Sequence, residues 1–228
     1  MPLFSNIPAL RLTISYLIHD PPSLLSHHTV PTLLSLPLPL GPALSPSSPK
    51  IRALVIDKDN TLCPPKTAKM HITYIQKLQK IRDSEEFSHN GSSVLIVSNT
   101  AGSSRLDFYE AEALELENEL GVPVLRQEPG SKKPLCGPDV LRFFKDRGVT
   151  DNPSEIAVVG DRLATDVLMA REMGSWSVWC RDGWRNPEMP GVDHRGIFAK
   201  TESQLERILR GGLQMKAPLP AGYVARRK

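Results

Sequence analysis

No stretch of this chain comes near the roughly twenty consecutive apolar residues that a membrane-spanning helix needs. Cysteine is scarce as well. Cys63, Cys136 and Cys180 are scattered, odd in number and without metal-ligand spacing. That argues against a disulfide framework or a thiolate metal site, and for free thiols in a reducing compartment. The charge balance is nearly even: 28 Lys and Arg against 25 Asp and Glu give +3. So small an excess does not by itself make nucleic acid a partner, and none is expected. No internal repeat is visible. What remains is an ordinary globular composition, 40% hydrophobic and 23% charged over 228 residues, enough for one good core plus extensions.

The most informative stretch runs from Val55 to Leu62. An apolar run, Ala53 to Ile56, drives straight into Asp57-Lys58-Asp59-Asn60-Thr61. A short apolar run bounded by polar residues suits a buried strand. In an extended chain Asp57 and Asp59 point to the same side. Two carboxylates crowded at a strand end repel each other and lose hydration, which is tolerated mainly where a cation or a reaction compensates. Taken alone, the pair is also explained by two solvated turn aspartates. The rest of the chain argues against that.

The first fifty residues differ in character from the remainder of the chain. Ile7, Leu10, Ile14, Leu17 and Ile18 recur at helical spacing, Asn6 is placed to cap, and Asp20-Pro21-Pro22 ends the helix. Three uses are open to it: lying in a membrane interface, burying its stripe on its own domain or a partner chain, or serving as a cleaved import signal. The segment is poor in acid but holds only Arg11 as arginine, fewer than a mitochondrial presequence usually has. Pro31 to Pro49 is rich in Leu, Pro and Ser and reads as an apolar connector ending in a loose linker. The expected division is therefore 1–49 as a membrane- or partner-binding segment, 50–213 as the folded domain, and 214–228 as a basic tail.

From Ile51 onward strands and helices alternate. Strands are predicted at 53–57, 93–98, 122–125, 156–159 and 176–179, and helices at 67–83, 106–120, 138–147, 164–173 and 202–210. Gly121, Gly148 and Gly174 are placed as C-caps. Thr201 with Gln204 has capping-box spacing for the last helix, which stops at Gly211-Gly212. The alternation implies a parallel sheet covered on both faces, and in such sheets ligands sit beyond the carboxyl ends of the strands. Those ends carry Asp57-Lys58-Asp59, Ser98-Asn99-Thr100 and Gly160-Asp161-Arg162. Lys132-Lys133-Pro134 precedes a helix. Each feature alone is weak; all four in order, each at the right end of its element, are a strong signal.

That order resembles the haloacid dehalogenase superfamily of phosphohydrolases. The matching residues are Asp57 to Thr61, Ser98, Lys133 before Pro134, and Gly160-Asp161-Arg162-Leu163-Ala164-Thr165-Asp166. With Ile96 to Gly102 and Val178-Trp179-Cys180-Arg181-Asp182-Gly183 added, the chain is similar to the eukaryotic mitochondrial phosphatidylglycerophosphate phosphatases. So is its proline-rich stretch from Val30 to Leu40. The fold this implies is α/β: a doubly wound, Rossmann-like parallel sheet, preceded by an amphipathic helix and an extended connector.

The implied chemistry is dephosphorylation of phosphatidylglycerophosphate to phosphatidylglycerol, in cardiolipin formation, with Mg²⁺ as cofactor. A phosphate monoester is doubly anionic and repels an attacking carboxylate, so a cation is needed to neutralise and align both. The resemblance makes Asp57 the nucleophile and a metal ligand, Asp161 a ligand, and Asp59 a ligand through its backbone carbonyl. It makes the Asp59 side chain the acid and base. Ser98 is expected to donate to a phosphoryl oxygen and Lys133 to balance charge. Asp166 is expected to orient the metal shell. Lys132 stays open as the alternative lysine. Asn60, Thr61, Asn99, Lys132 and Arg162 are the candidates for touching substrate.

Superfamily members that act on small metabolites often carry a cap domain over the site. Here 62–92 and 100–131 are too short for one, so an open, capless site is expected, suited to a lipid headgroup or a macromolecule. Lys66, Lys69, Arg105, Arg126, Lys132, Arg162, Arg181 and Arg185 form an expected basic rim that would draw the protein to an anionic membrane. The expected partners are an anionic phospholipid substrate and a membrane surface, with homo-oligomer formation left open. The expected place is the matrix side of the mitochondrial inner membrane, as a peripheral protein. Two other readings compete: a capless phosphatase acting on a protein, a nucleic acid or a soluble phosphomonoester, and a phospho-accepting switch of the receiver type. The last is disfavoured because receivers carry the accepting Asp on a later strand, away from the acidic pair.

Overall fold

The acidic run lies at the end of a central strand. In the computed structural model, which describes residues 7–65, 67–102, 107–128, 130–189 and 196–224, five strands form one sheet. They are β1 (His28–Val30), β2 (Ala53–Asp57), β3 (Val94–Val97), β4 (Ile156–Gly160) and β5 (Trp176–Cys180). The order is β1-β5-β4-β2-β3, and every pairing is parallel. Register is set by Asp57 opposite Val97 and Val55 opposite Val158.

All residues of β2 to β5 are buried, as continuous apolar strands covered on both faces should be. Alternation along β2 divides the core. Leu54 and Ile56 join one cluster with Tyr74, Leu78 and Ile81. Ala53 and Val55 join another with Val140, Phe144 and Met169. The helices supplying those residues are α3 (Ile72–Arg82), α5 (Gly137–Asp146) and α6 (Leu168–Met173). The others are α1 (Ile7–His19), α2 (Gly41–Leu44), α4 (Asp107–Leu120) and α7 (Ile197–Arg207).

Three expectations change. Residues 122–125 form only a single bridge, Val124 with Ile96. Pro123 has no N–H to continue a ladder. In its place the fifth strand is β1, between the predicted amino-terminal helix and the stretch read as a connector. Three residues between prolines are too few for a periodic signal. The last helix starts at Ile197, and Thr201 lies within it, its Oγ1 donating to Phe198 O at 2.8 Å; the capping-box spacing is fortuitous.

The boundary at residue 50 also falls inside the fold. Leu33, Leu36, Leu40 and Leu44 belong to the main core, and β1 is hydrogen-bonded to β5. The C-terminal segment is tied in too. Pro218 O lies 3.0 Å from His27 Nε2, and the Tyr223 and Ser47 hydroxyls are 2.7 Å apart. Helix α1 packs Leu12 and Tyr16 toward Leu24, Leu25, Leu168 and Leu209. Its other side leaves Ile7, Leu10, Ile14, Leu17 and Ile18 exposed, Ile18 at 68%. The stripe read from the sequence faces outward.

Candidate active site

The chain continues from β2 into β3 on one side of the sheet and returns to β4 on the other. The gap between β2 and β4 is thus the topological switch point, where the crevice of a doubly wound sheet opens. Asp57 ends β2 and Asp161 follows β4 on its two sides. Beyond Asp57 the chain folds back tightly, with the N–H groups of Leu62 and Cys63 on Lys58 O at 3.0 and 3.3 Å. This returns Thr61 to the strand end, where its Oγ1 donates to Asp57 Oδ2 at 3.2 Å.

Lys133, not Lys132, reaches the acids. Its Nζ donates to Asp57 Oδ1 and, at 2.7 Å, to Asp166 Oδ1. Its backbone N–H is held by Asn99 Oδ1 at 2.9 Å. Asp57, Asp161 and Asp166 each offer an oxygen within 4.8 Å of the others, and all three are buried. Gly160 makes room for this, since a Cβ there would strike the Asp166 carboxyl group. The second oxygen of Asp166 accepts the Arg162 N–H at 3.1 Å.

The charges do not balance. Three buried carboxylates face one ammonium. Burial pushes the Asp57 carboxyl up to about 7; Lys133 pulls it down, while Asp166 and Asp59 push it up. Burial likewise lifts Asp161, helped by Asp57 and Asp166. Burial opposes the charge on Lys133, but Asp166 and Asp57 outweigh it and hold the ammonium protonated. Asn60 Oδ1, buried beside Asp161, has no hydrogen-bond partner among the described residues. Clustered hard oxygen donors with excess negative charge and an orphaned acceptor fit a small divalent cation with bound water.

Asp59 lives elsewhere. Its Oδ2 accepts from Thr100 Oγ1 at 2.9 Å and Ser98 Oγ at 3.2 Å. Its Oδ1 lies 3.3 Å from Lys58 Nζ. Lys58 is fully buried and paired with Glu112 of α4; burial works against its charge, and Asp59 and Glu112 more than restore it. Ser98 is fixed in turn by Gln127, whose Nε2 donates to Ser98 O at 2.6 Å.

Several partners give no signal in the sequence. Thr100 stands beside Ser98 without a motif role of its own, while Glu112, Gln127 and Glu202 are distant in sequence and carry no motif. Glu202 pairs with Arg162, Nε to Oε2 at 3.0 Å. Of the residues expected to touch substrate, Asn60, Thr61, Asn99 and Arg162 are engaged with protein groups. The Lys132 side chain has no such partner among the described residues.

No cap domain stands over the site among the described residues. Its rim differs from the expected basic ring. Arg126 is clamped by Glu110 and Glu117, at 3.0 and 2.6 Å, and Arg181 pairs with Asp182 at 3.1 Å. Lys66 and Arg105 lie outside the described residues. Apolar side chains protrude from the same carboxyl-edge segments: Phe108 (74% exposed), Leu135, Met189, Ile197 (79%) and Phe198. A cavity of about 720 Å³ lined by Leu38, Ile51, Glu86, His89 and Ser93 lies at the opposite, amino edge of the sheet and contains none of these acids.

The geometry has parallels among known proteins. A profile described as mitochondrial PGP phosphatase matches residues 7–185. The mitochondrial phosphatidylglycerophosphatase GEP4 of Saccharomyces cerevisiae is 40% identical over 167 residues, covering 73% of this chain and 83% of that one. A probable mitochondrial phosphatidylglycerophosphatase of Schizosaccharomyces pombe is 31% identical over 172 residues, 74% and 79% of the two chains. The chloroplastic/mitochondrial phosphatidylglycerophosphate phosphatase 1 of Arabidopsis thaliana is 30% identical over 164 residues, 72% of this chain and 43% of that one.

Proposed function

The chain belongs to the mitochondrial PGP phosphatase family, and from that premise we propose that it hydrolyses phosphatidylglycerophosphate to phosphatidylglycerol on the route to cardiolipin. The observation that carries the mechanism is the separation of two aspartates one residue apart. Asp57 lies among acids and Lys133, while Asp59 lies among hydroxyls and Lys58. Two carboxylates in different surroundings take different roles.

Asp57 is the nucleophile. One of its oxygens bonds to phosphorus as the bond from phosphorus to the glycerol oxygen breaks. Asp59 gives its proton to that departing oxygen. Water then attacks the phosphorus of the aspartyl-phosphate and returns a proton to Asp59. The bond to Asp57 breaks and inorganic phosphate leaves. Lys133 offsets the charge on Asp57 and on the group in transfer. The Ser98 hydroxyl, free to rotate from Asp59, donates to a phosphoryl oxygen. Mg²⁺, held by the Asp57 and Asp161 carboxylates and, as the resemblance implies, the Asp59 carbonyl, would neutralise and align the phosphate.

The substrate is a lipid, so the open mouth must approach the headgroup layer. The exposed stripe of α1 and the protruding apolar rim support a peripheral contact with an anionic bilayer. No described helix is long and apolar enough to cross a membrane. The relatives are mitochondrial by name, and we place this protein on the matrix face of the inner membrane.

The test is release of phosphate from phosphatidylglycerophosphate in anionic vesicles by the full chain, with soluble glycerol phosphate in parallel. Turnover that favours the lipid, vanishes with a chelator and returns with Mg²⁺ supports the reading. Hydrolysis of soluble or peptide phosphomonoesters with none of the lipid would reject the substrate, and full turnover in a metal-free preparation would reject the cofactor.

A further inference from the structure

The segment Arg181-Asp182-Gly183, singled out in the sequence, takes no part in the chemistry above. It lies against Asn60. Asn60 adopts φ +61°, in the left-handed region. Asparagine tolerates that region better than most residues. Its carbonyl oxygen accepts the Trp184 N–H at 2.5 Å. Its side-chain Nδ2 donates to Asp161 Oδ2 at 2.6 Å. The orientation of the amide is dictated by that partner, because a turned amide would set its oxygen against a carboxylate.

Gly183 leaves the amide its place. A Cβ on Gly183 would stand 3.0 Å from Asn60 Cγ and nearer still to Nδ2, closer than real Cβ contacts come. Gly183 is itself at φ +65°. Any side chain at 183 must therefore displace the amide, shift the turn, or both. The turn after β5, the left-handed residue after Asp59 and the acid after β4 thus form one chain of contacts.

We propose that Asn60 and Gly183 act together as a positioning pair that fixes the Asp161 carboxylate for the divalent cation. The proposal rests on the reading of Asp57, Asp161 and Asp166 as the cation site. The amide donates to Asp161 Oδ2 and so fixes the plane of the carboxylate within the cluster. Groups that orient a metal ligand in this way commonly contribute 10- to 100-fold in affinity.

Asn60→Gly separates the amide from the backbone, since glycine keeps a positive φ without strain. Calorimetric titration of the full chain with Mg²⁺ alone should show affinity falling about 10-fold or more in Asn60→Gly. Gly183→Ala should show a similar loss by displacing the amide, and a lower melting temperature because alanine is strained at that φ. With both changes made, the loss of Mg²⁺ affinity should match Asn60→Gly alone, while the melting temperature still falls. Wild-type affinity in Asn60→Gly, or losses that multiply in the double variant, would overturn the pairing. Asp161→Ala is the control. If it binds Mg²⁺ as the wild type does, or the wild type binds none, the cation site fails and the pairing falls with it. If Asp161→Ala loses Mg²⁺ and Asn60→Gly does not, only the pairing fails.

Discussion

Glu202 reaches back across forty residues to Arg162, accepting from its Nε at 3.0 Å. The same carboxylate takes the N–H groups of Leu163 and Ala164, at 3.1 and 3.2 Å. One residue of α7 thus satisfies the turn that leaves Asp161 and holds Arg162 in place. Burial opposes the charge on Arg162, but Glu202 more than compensates.

Glu202→Ala should therefore destabilise by about 2 kcal/mol, the scale of a lost cap plus a partly buried guanidinium left without its partner. Glu202→Gln should lose less, because an amide oxygen still accepts. Urea unfolding measures both. An unchanged midpoint in Glu202→Ala would show that the contact contributes nothing.

Asp57→Asn should remove turnover by roughly 10³-fold or more while the fold persists, since an amide is a poor nucleophile. Asp59→Asn should cost roughly 10²–10⁴-fold, the range for a lost acid and base. Stopped assays on a soluble phosphomonoester read both, with circular dichroism as the folding control. Near-normal rates in a folded Asp59→Asn protein would remove Asp59 from the chemistry.

Deleting residues 1–49 is not a clean test of membrane contact, because it strips β1 and core leucines. Surface changes are. Leu10→Gln, Ile14→Gln and Leu17→Gln together alter only the exposed side of α1. Vesicle co-sedimentation and lipid turnover should both fall, with soluble phosphomonoester hydrolysis spared. Equal losses on both substrates would reassign α1 to folding or assembly. With Arg126, Arg162 and Arg181 paired to acids, vesicle binding should fall as salt rises, but less steeply than eight unpaired basic residues would give.

His27 sets an acid limit. Its ring lies edge-on to Trp176, centroids 4.8 Å apart. Nδ1 accepts the Ser177 N–H at 3.0 Å, so the proton is on Nε2, which donates to Pro218 O at 3.0 Å. Burial lowers the imidazole to about 4; the Pro218 hydrogen bond opposes this, and Arg171 and Arg210 add to it. In the unfolded chain the ring titrates near 6.5. Above that pH it is neutral in both states and its contribution is fully present. Below it the unfolded chain takes the proton first, so stability falls between pH 6.5 and 4, by about 3 kcal/mol at the lower end. Raised carboxyls such as Asp57 act in the opposite sense, so the measurement is the difference between wild type and His27→Gln melting temperatures at pH 7 and pH 5. No difference between their pH slopes would discard the effect.

The strand ends of the candidate site were legible because the signal there is local. Asp57, Asp59, Ser98, Asp161 and Lys133 each follow or precede an element whose apolar period marks it. Contacts made only in three dimensions were not. Glu202 and Glu112 sit on helices where an acid at any exposed position looks alike. In the expected basic rim a sequence counts arginines but not the acids folded against them, Glu110 and Glu117 on Arg126, Glu202 on Arg162 and Asp182 on Arg181. Strand β1 was hidden for another reason: three residues cannot display a period, and their pairing partner lies 150 positions away.

That distance orders events in time. Synthesis delivers the amino terminus first, yet β1 has no neighbour until β5 has been made. Leu24 and Leu25, buried beside Leu168 and Leu209 in the finished protein, must wait in water while most of the chain is still to come. Pairings this remote in sequence close slowly, and unburied leucine draws other chains while it waits. The newborn protein is thus most in need of a chaperone at its beginning, and a truncation before Trp176 would leave a sticky end with nowhere to dock.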